Sequence, residues 1–143
     1  MRYVILVATD GSQMAKKAEI AAMKIAKSYD VSMAAMYVAV AKKDSEREEL
    51  IAKGEQVLKE VVDTGAEMGV NIHKVLMGVS MQTMSKKGAR AAAIAKAILA
   101  ATEKYDVHTI VIGSKGESEI NPELGSVALE VVKKARCTVL VAR

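Results

Sequence analysis

The alternation of patterns along this chain predicts an α/β fold, a three-layer α/β/α sandwich built on a five-stranded parallel sheet. Three observations carry that expectation. Five short apolar or β-branched runs, at residues 3–8, 31–40, 70–77, 107–112 and 138–142, are separated by four longer stretches whose apolar residues recur at helical spacing. The first run is apolar almost throughout instead of at every second position, as a strand covered on both faces is. Hydrophobic residues make up 51% of the sequence although Phe and Trp are absent, so the core has to be assembled from Val, Ile, Leu, Ala and nine Met. The 143 residues show no repeat, linker or low-complexity segment and read as a single domain, 1–143, long enough to bury a core.

Taken in order, the strand at 3–8 runs into Thr9-Asp10-Gly11-Ser12. Ser12 is placed to cap a helix over 13–29, in which Met14, Ala18, Ala21, Ala22, Ile25, Ala26 and Tyr29 form an apolar stripe between lysines. The second strand, 31–40, ends in Tyr37-Val38-Ala39-Val40. Ser45 and Glu48 have the spacing of a capping box, and Leu50, Ile51, Val57, Leu58, Val61 and Val62 carry the second helix to residue 68, where Gly69 stops it. After the third strand, residues 78–87 break the apolar pattern and read as an insertion in a strand-to-helix loop, longer than the roughly two to six residues usual there. Met81, Met84, Lys86 and Lys87 would make it either a lid on the ligand side or a mobile surface loop. The third helix, 89–104, turns Ala92, Ala95, Ile98, Leu99 and Thr102 inward. The fourth strand, 107–112, leads through Gly113 and Gly116 to Gly125-Ser126, which opens a helix over 126–135 before the closing strand at 138–142.

That strand, glycine-rich loop and helix start suit the holding of phosphate. Glycine lets backbone N–H groups approach an anion without a Cβ in the way, and a helix N-terminus adds unpaired donors and a positive dipole end. The same glycines serve simple chain turning, so the loop alone leaves both readings open. Asp10 stands at the carboxyl end of the first strand, where open α/β sheets bind ligands; its carboxylate is suited to a ribose or to the backbone of its own turn.

Other chemistries find little support. Twenty-one Lys and Arg against 17 Asp and Glu give a formal charge of +4, but the lysine pairs are scattered and no aromatic residues interleave with them, so nucleic-acid binding is not expected. His73 and His108 lack partners at metal-ligand spacing, and the lone Cys137 excludes an internal disulfide or a Cys-x-x-Cys site; no metal ligands are assigned. No apolar run approaches the roughly 20 residues of a membrane span, and residues 1–8 lack the layout of a signal peptide, so a cytoplasmic location without a membrane anchor is expected.

Together, the strand ending in Thr9-Asp10-Gly11-Ser12, the pair Gly113 and Gly116 and the later Gly125-Ser126 make the whole chain resemble the universal stress protein family, in particular its ATP-binding branch. The resemblance implies a Rossmann-like sheet of strand order 3-2-1-4-5, with the site at the reversal between strands one and four. It implies Asp10 on the ribose or adenine side, the backbone near Val38 against the base, and Gly113, Gly116, Gly125 and Ser126 around the phosphates of ATP, ADP or AMP. Mg²⁺ would bridge outer phosphates with few protein ligands. It also implies a symmetric homodimer formed through the C-terminal strand, acting in stress response.

Two departures from the family pattern bear on affinity. The spacer between Gly116 and Gly125 holds eight residues, where the pattern has nine, and it carries Glu117, Glu119, Glu123 and Pro122. Carboxylates beside a triphosphate repel it, at about 1 kcal/mol for each exposed pair, and Lys115 offsets part of that. No Ser/His/Asp set or Cys–His pair supports an enzyme. Three classes therefore stand: a nucleotide-binding regulatory dimer, a nucleotide-free module that binds a protein the sequence does not name, and a weak ATPase without an identified general base.

Overall fold

The computed structural model describes residues 2–81, 88–115 and 124–143. Its elements alternate as β1 (Ile5–Ala8), α1 (Gln13–Tyr29), β2 (Met33–Ala41), α2 (Asp44–Glu67), β3 (Ile72–Ser80), α3 (Ala89–Lys104), β4 (Thr109–Gly113), α4 (Ser126–Lys134) and β5 (Thr138–Ala142). All strand pairs are parallel, and the sheet order is β3-β2-β1-β4-β5. The chain is thus an α/β sandwich of the expected topology.

Period-two alternation sorts the strand residues onto two cores. Leu6, Ala8, Ala34, Met36, Ile110 and Ile112 pack with α3 and α4, whereas Ile5, Val7, Met33, Ala35, Tyr37 and Val111 pack with α1 and α2. Every residue of β1 and β4 is buried, which accounts for their unbroken apolar sequence. Because β1 pairs with β2 on one side and β4 on the other, its carboxyl end is the reversal point of the sheet. The chain leaves it toward α1 on one face, while α4 begins on the other.

Several local expectations change; Ala92, expected to turn inward from α3, is exposed. β3 continues to Ser80, pairing Gly78, Val79 and Ser80 with Ala39, Val40 and Ala41, so residues 78–80 are strand and not loop. An edge strand paired on one side tolerates the small and polar residues that break the apolar pattern, and Met81 N–H still donates to Ala41 O at 2.9 Å. The rest of the expected insertion, 82–87, lies outside the described residues. The capping box of Ser45 and Glu48 does not form: α2 starts at Asp44 with Lys43 as N-cap and no side-chain cap bond, which puts Ser45 within the first turn. Lastly, α1 buries Ala15, Ala18, Glu19, Ala22, Met23 and Ala26, while Tyr29, beside the left-handed Asp30, is 75% exposed. The buried stripe therefore includes a carboxylate and omits the tyrosine.

Candidate functional site

The carboxyl ends of β1 and β4 and the middle of β2 meet the first turns of α3 and α4 around a cavity of about 570 Å³. It lies at the sheet reversal, where neighbouring loops diverge toward opposite faces. Asp10, Val38, Gly113, Gly125 and Ser126 all line it. Gly116 lies outside the described residues.

The β1 side is built from consecutive residues. Thr9 N–H donates to Met36 O at 2.9 Å, continuing the sheet ladder one residue past β1. Asp10 Oδ1 accepts the Ser12 N–H at 3.0 Å, and Ser12 Oγ caps α1 by accepting the Ala15 N–H at 3.2 Å. The turn role of Asp10 is therefore present, and the residue lines the cavity as well. Thr9 Oγ accepts the Gly11 N–H at 3.1 Å and donates its own proton to Glu19 Oε2 at 2.5 Å. Burial pushes the Glu19 carboxyl above its ordinary value; the Thr9 bond and the Lys16 charge oppose that rise, while Glu60 and Asp10 add to it.

The β4 side is built by close approach across the chain. Gly125 is the N-cap of α4, and its N–H donates to Ser114 O at 2.6 Å. A Cβ on Gly125 would lie 2.9 Å from Lys115 Cα, and one on Gly113 would lie 3.0 Å from Met14 O. Backbone packing thus requires glycine at 125 and favours it at 113, whatever the cavity holds. Gly125 offers no side-chain acceptor to the first turn of α4, so that turn presents backbone donors and the exposed Ser126 hydroxyl at the cavity wall.

Between these sides Met36, Val38, Ile94, Ile98 and Ile112 form an apolar wall. Val38 is the one residue of β2 that is not fully buried, which leaves its backbone and side chain at the cavity surface. Among the described lining residues the charged ones are Asp10, Lys53, Arg90 and Lys115, a set suited to an anion carrying a flat apolar part. Sequence reasoning named Lys115 but missed Lys53 and Arg90. No local pattern marks these two, because their position depends on how α2 and α3 pack over the sheet. Among the described lining residues there is no His or Cys, and among all described residues no group of three His, Cys, Asp or Glu is arranged to hold a metal ion. His108 is engaged with the Thr109 hydroxyl at 2.8 Å, and His73 stacks 5.0 Å from the Tyr3 ring, away from this cavity. No helix of the described residues is long and apolar enough to cross a membrane.

Comparison with known proteins agrees with this architecture. The sequence model of the universal stress protein family matches residues 1–143. A universal stress protein of Methanocaldococcus jannaschii is 32% identical, over 97% of this chain and 81% of that protein. The structure of UspA from Lactobacillus plantarum superposes with a TM-score of 0.78 at 19% identity, covering 100% of this chain and 99% of that one. The Archaeoglobus fulgidus universal stress protein in complex with dAMP gives a TM-score of 0.71 at 22% identity, with both chains covered fully, at 100%. Other solved structures of this fold are complexes with cAMP or AMP.

Proposed function

The chain belongs to the universal stress protein family, and from that premise we propose that it is a cytoplasmic homodimer binding an adenine nucleotide as a regulatory ligand in stress response. The observation that carries the reading is the convergence of Asp10, Val38, Gly113, Gly125 and Ser126 on one cavity at the sheet reversal. The base would lie against Val38 and the apolar wall, the ribose near Asp10, and the phosphates against the α4 N-terminus, Ser126 and Lys115. Gly116 would complete the phosphate loop. ATP, ADP and AMP share these contacts. Mg²⁺, when present, would sit on outer phosphate oxygens and water and not on protein ligands.

Binding is physical, not catalytic. Backbone N–H groups, the α4 dipole and Lys115 offset phosphate charge, and the ligand acts by favouring one conformation over another. Dimerisation through β5 fits its place at the sheet edge, where Leu140 is 40% exposed. A nucleotide-free interaction module is the second reading. It is favoured by one fact, that Gly113 and Gly125 are explained by backbone packing alone.

The test is to denature freshly purified protein, chromatograph what it releases, and titrate ATP, ADP and AMP calorimetrically into the stripped chain. Saturable binding weakened by Ser126→Ala is expected. No released nucleotide and no heat up to millimolar ligand would sink the nucleotide reading and leave the second reading to be tested by a search for a protein partner.

A further inference from the structure

Glu19 is 7% exposed, on a helix face otherwise given to Ala and Met, and its carboxylate is joined to the ligand cavity by a single hydroxyl. Thr9, 6% exposed, lines that cavity; Glu19 lines a second one, of about 470 Å³, between α1 and α2. The pair Thr9–Glu19 is therefore the partition between two cavities. A threonine hydroxyl has one proton to give. While Glu19 is ionised it can only accept, so the Thr9 proton is committed to it and Thr9 Oγ takes the Gly11 N–H in return. Once Glu19 is protonated its own O–H can donate to Thr9 Oγ, which frees the Thr9 proton to turn toward the ligand cavity.

We propose that Glu19 is a positioning residue of the nucleotide site, acting through Thr9, and that its protonation turns Thr9 into a hydrogen-bond donor to the ligand. The consequence for a nucleotide rests on the function proposed above. Ribose and base offer acceptor atoms near Asp10, so affinity rises as pH falls through the Glu19 titration. The groups facing Glu19 set where that happens. Lys16 on its own helix favours the ionised form, while burial, Glu60 of α2 and Asp10 of the neighbouring turn favour the neutral one; Asp63 and Glu67 add negative charge along the same cavity. The titration is thereby moved upward from the ordinary carboxylate value.

Two readouts on the full chain test this. By NMR, the Gly11 amide shift should titrate with the Glu19 carboxyl in the wild type and show no step in Glu19→Gln, with or without ligand. By calorimetry from the ordinary carboxylate value up to neutral pH, AMP should bind the wild type roughly 2- to 10-fold more tightly at the acid end, the worth of about one hydrogen bond. Glu19→Gln, a neutral stand-in, should lack that part of the pH dependence, and subtracting its profile removes the titration of the AMP phosphate itself. Thr9→Ser should keep the wild-type profile and Thr9→Val should lose it. Identical pH profiles in the wild type and Glu19→Gln, with both folded by circular dichroism, would overturn the proposal. So would a Gly11 amide indifferent to Glu19. Absence of AMP binding at every pH would overturn the nucleotide reading and the affinity change with it, and the Gly11 titration would still decide whether the relay exists.

Discussion

The two sides of the cavity reach the same ligand surface by opposite constructions. On the β1 side, four consecutive residues hold one another: Thr9 and Asp10 side-chain oxygens accept the Gly11 and Ser12 N–H groups at 3.1 and 3.0 Å, and Ser12 Oγ accepts the Ala15 N–H at 3.2 Å. On the β4 side, residues 114 and 125 meet through a backbone bond of 2.6 Å, and the absence of two Cβ atoms lets the chain close. Loss of one polar side chain should loosen the first side by one hydrogen bond. A single added methyl on the second meets backbone, which can move only as a whole. The β1 side is thus set by polar chemistry and the β4 side by volume.

Substitutions can break that contrast. The largest effect is expected from Gly125→Val, whose Cβ falls 2.9 Å from Lys115 Cα; overpacking against backbone should cost about 3 kcal/mol, read as a lower urea midpoint. Ser12→Ala should cost about 1 kcal/mol by removing the α1 cap, with the fold intact. If the two changes cost the same, the distinction between volume and polar chemistry fails. At the β4 side, Lys115→Ala should change stability by less than about 0.5 kcal/mol while weakening nucleotide binding, since Lys115 lines the cavity and is only half-buried.

The pH dependence of stability sharpens the same comparison. Glu19 has a raised carboxyl, so the folded chain holds a proton that the unfolded chain has already lost. Its contribution is complete below the ordinary value of 4.5 and fades as pH rises through the folded-state value. Thermal melts of Glu19→Gln should show a flatter decline than the wild type across that window. A steeper decline would mean that the Thr9 bond and Lys16 outweigh burial.

These differences in construction decide what could be read from the sequence. Asp10, Gly11 and Ser12 act on neighbours within three residues, and a strand followed by Asp-Gly-Ser and a helical pattern was enough to place them. Gly125-Ser126 was visible as a helix start, although its meeting with Ser114 depends on a chain path that no local pattern encodes. Lys53 and Arg90 looked like solvated helix charges and reach the cavity through packing. Glu19 was hidden for a different reason. Helical periodicity weighs apolar positions, and a carboxylate buried against a threonine ten residues earlier does not register in it. The continuation of β3 to Ser80 was missed because its pairing with β2, and not its own composition, makes it a strand.

The most direct test of the account is amide chemical-shift mapping of the stripped protein titrated with AMP. The account predicts saturable shifts concentrated at Asp10, Val38, Lys115 and Ser126, described positions that line the cavity at the sheet reversal. Shifts that are absent at millimolar AMP, or that fall instead along the α1–α2 groove at Thr64 and Glu67, would contradict it.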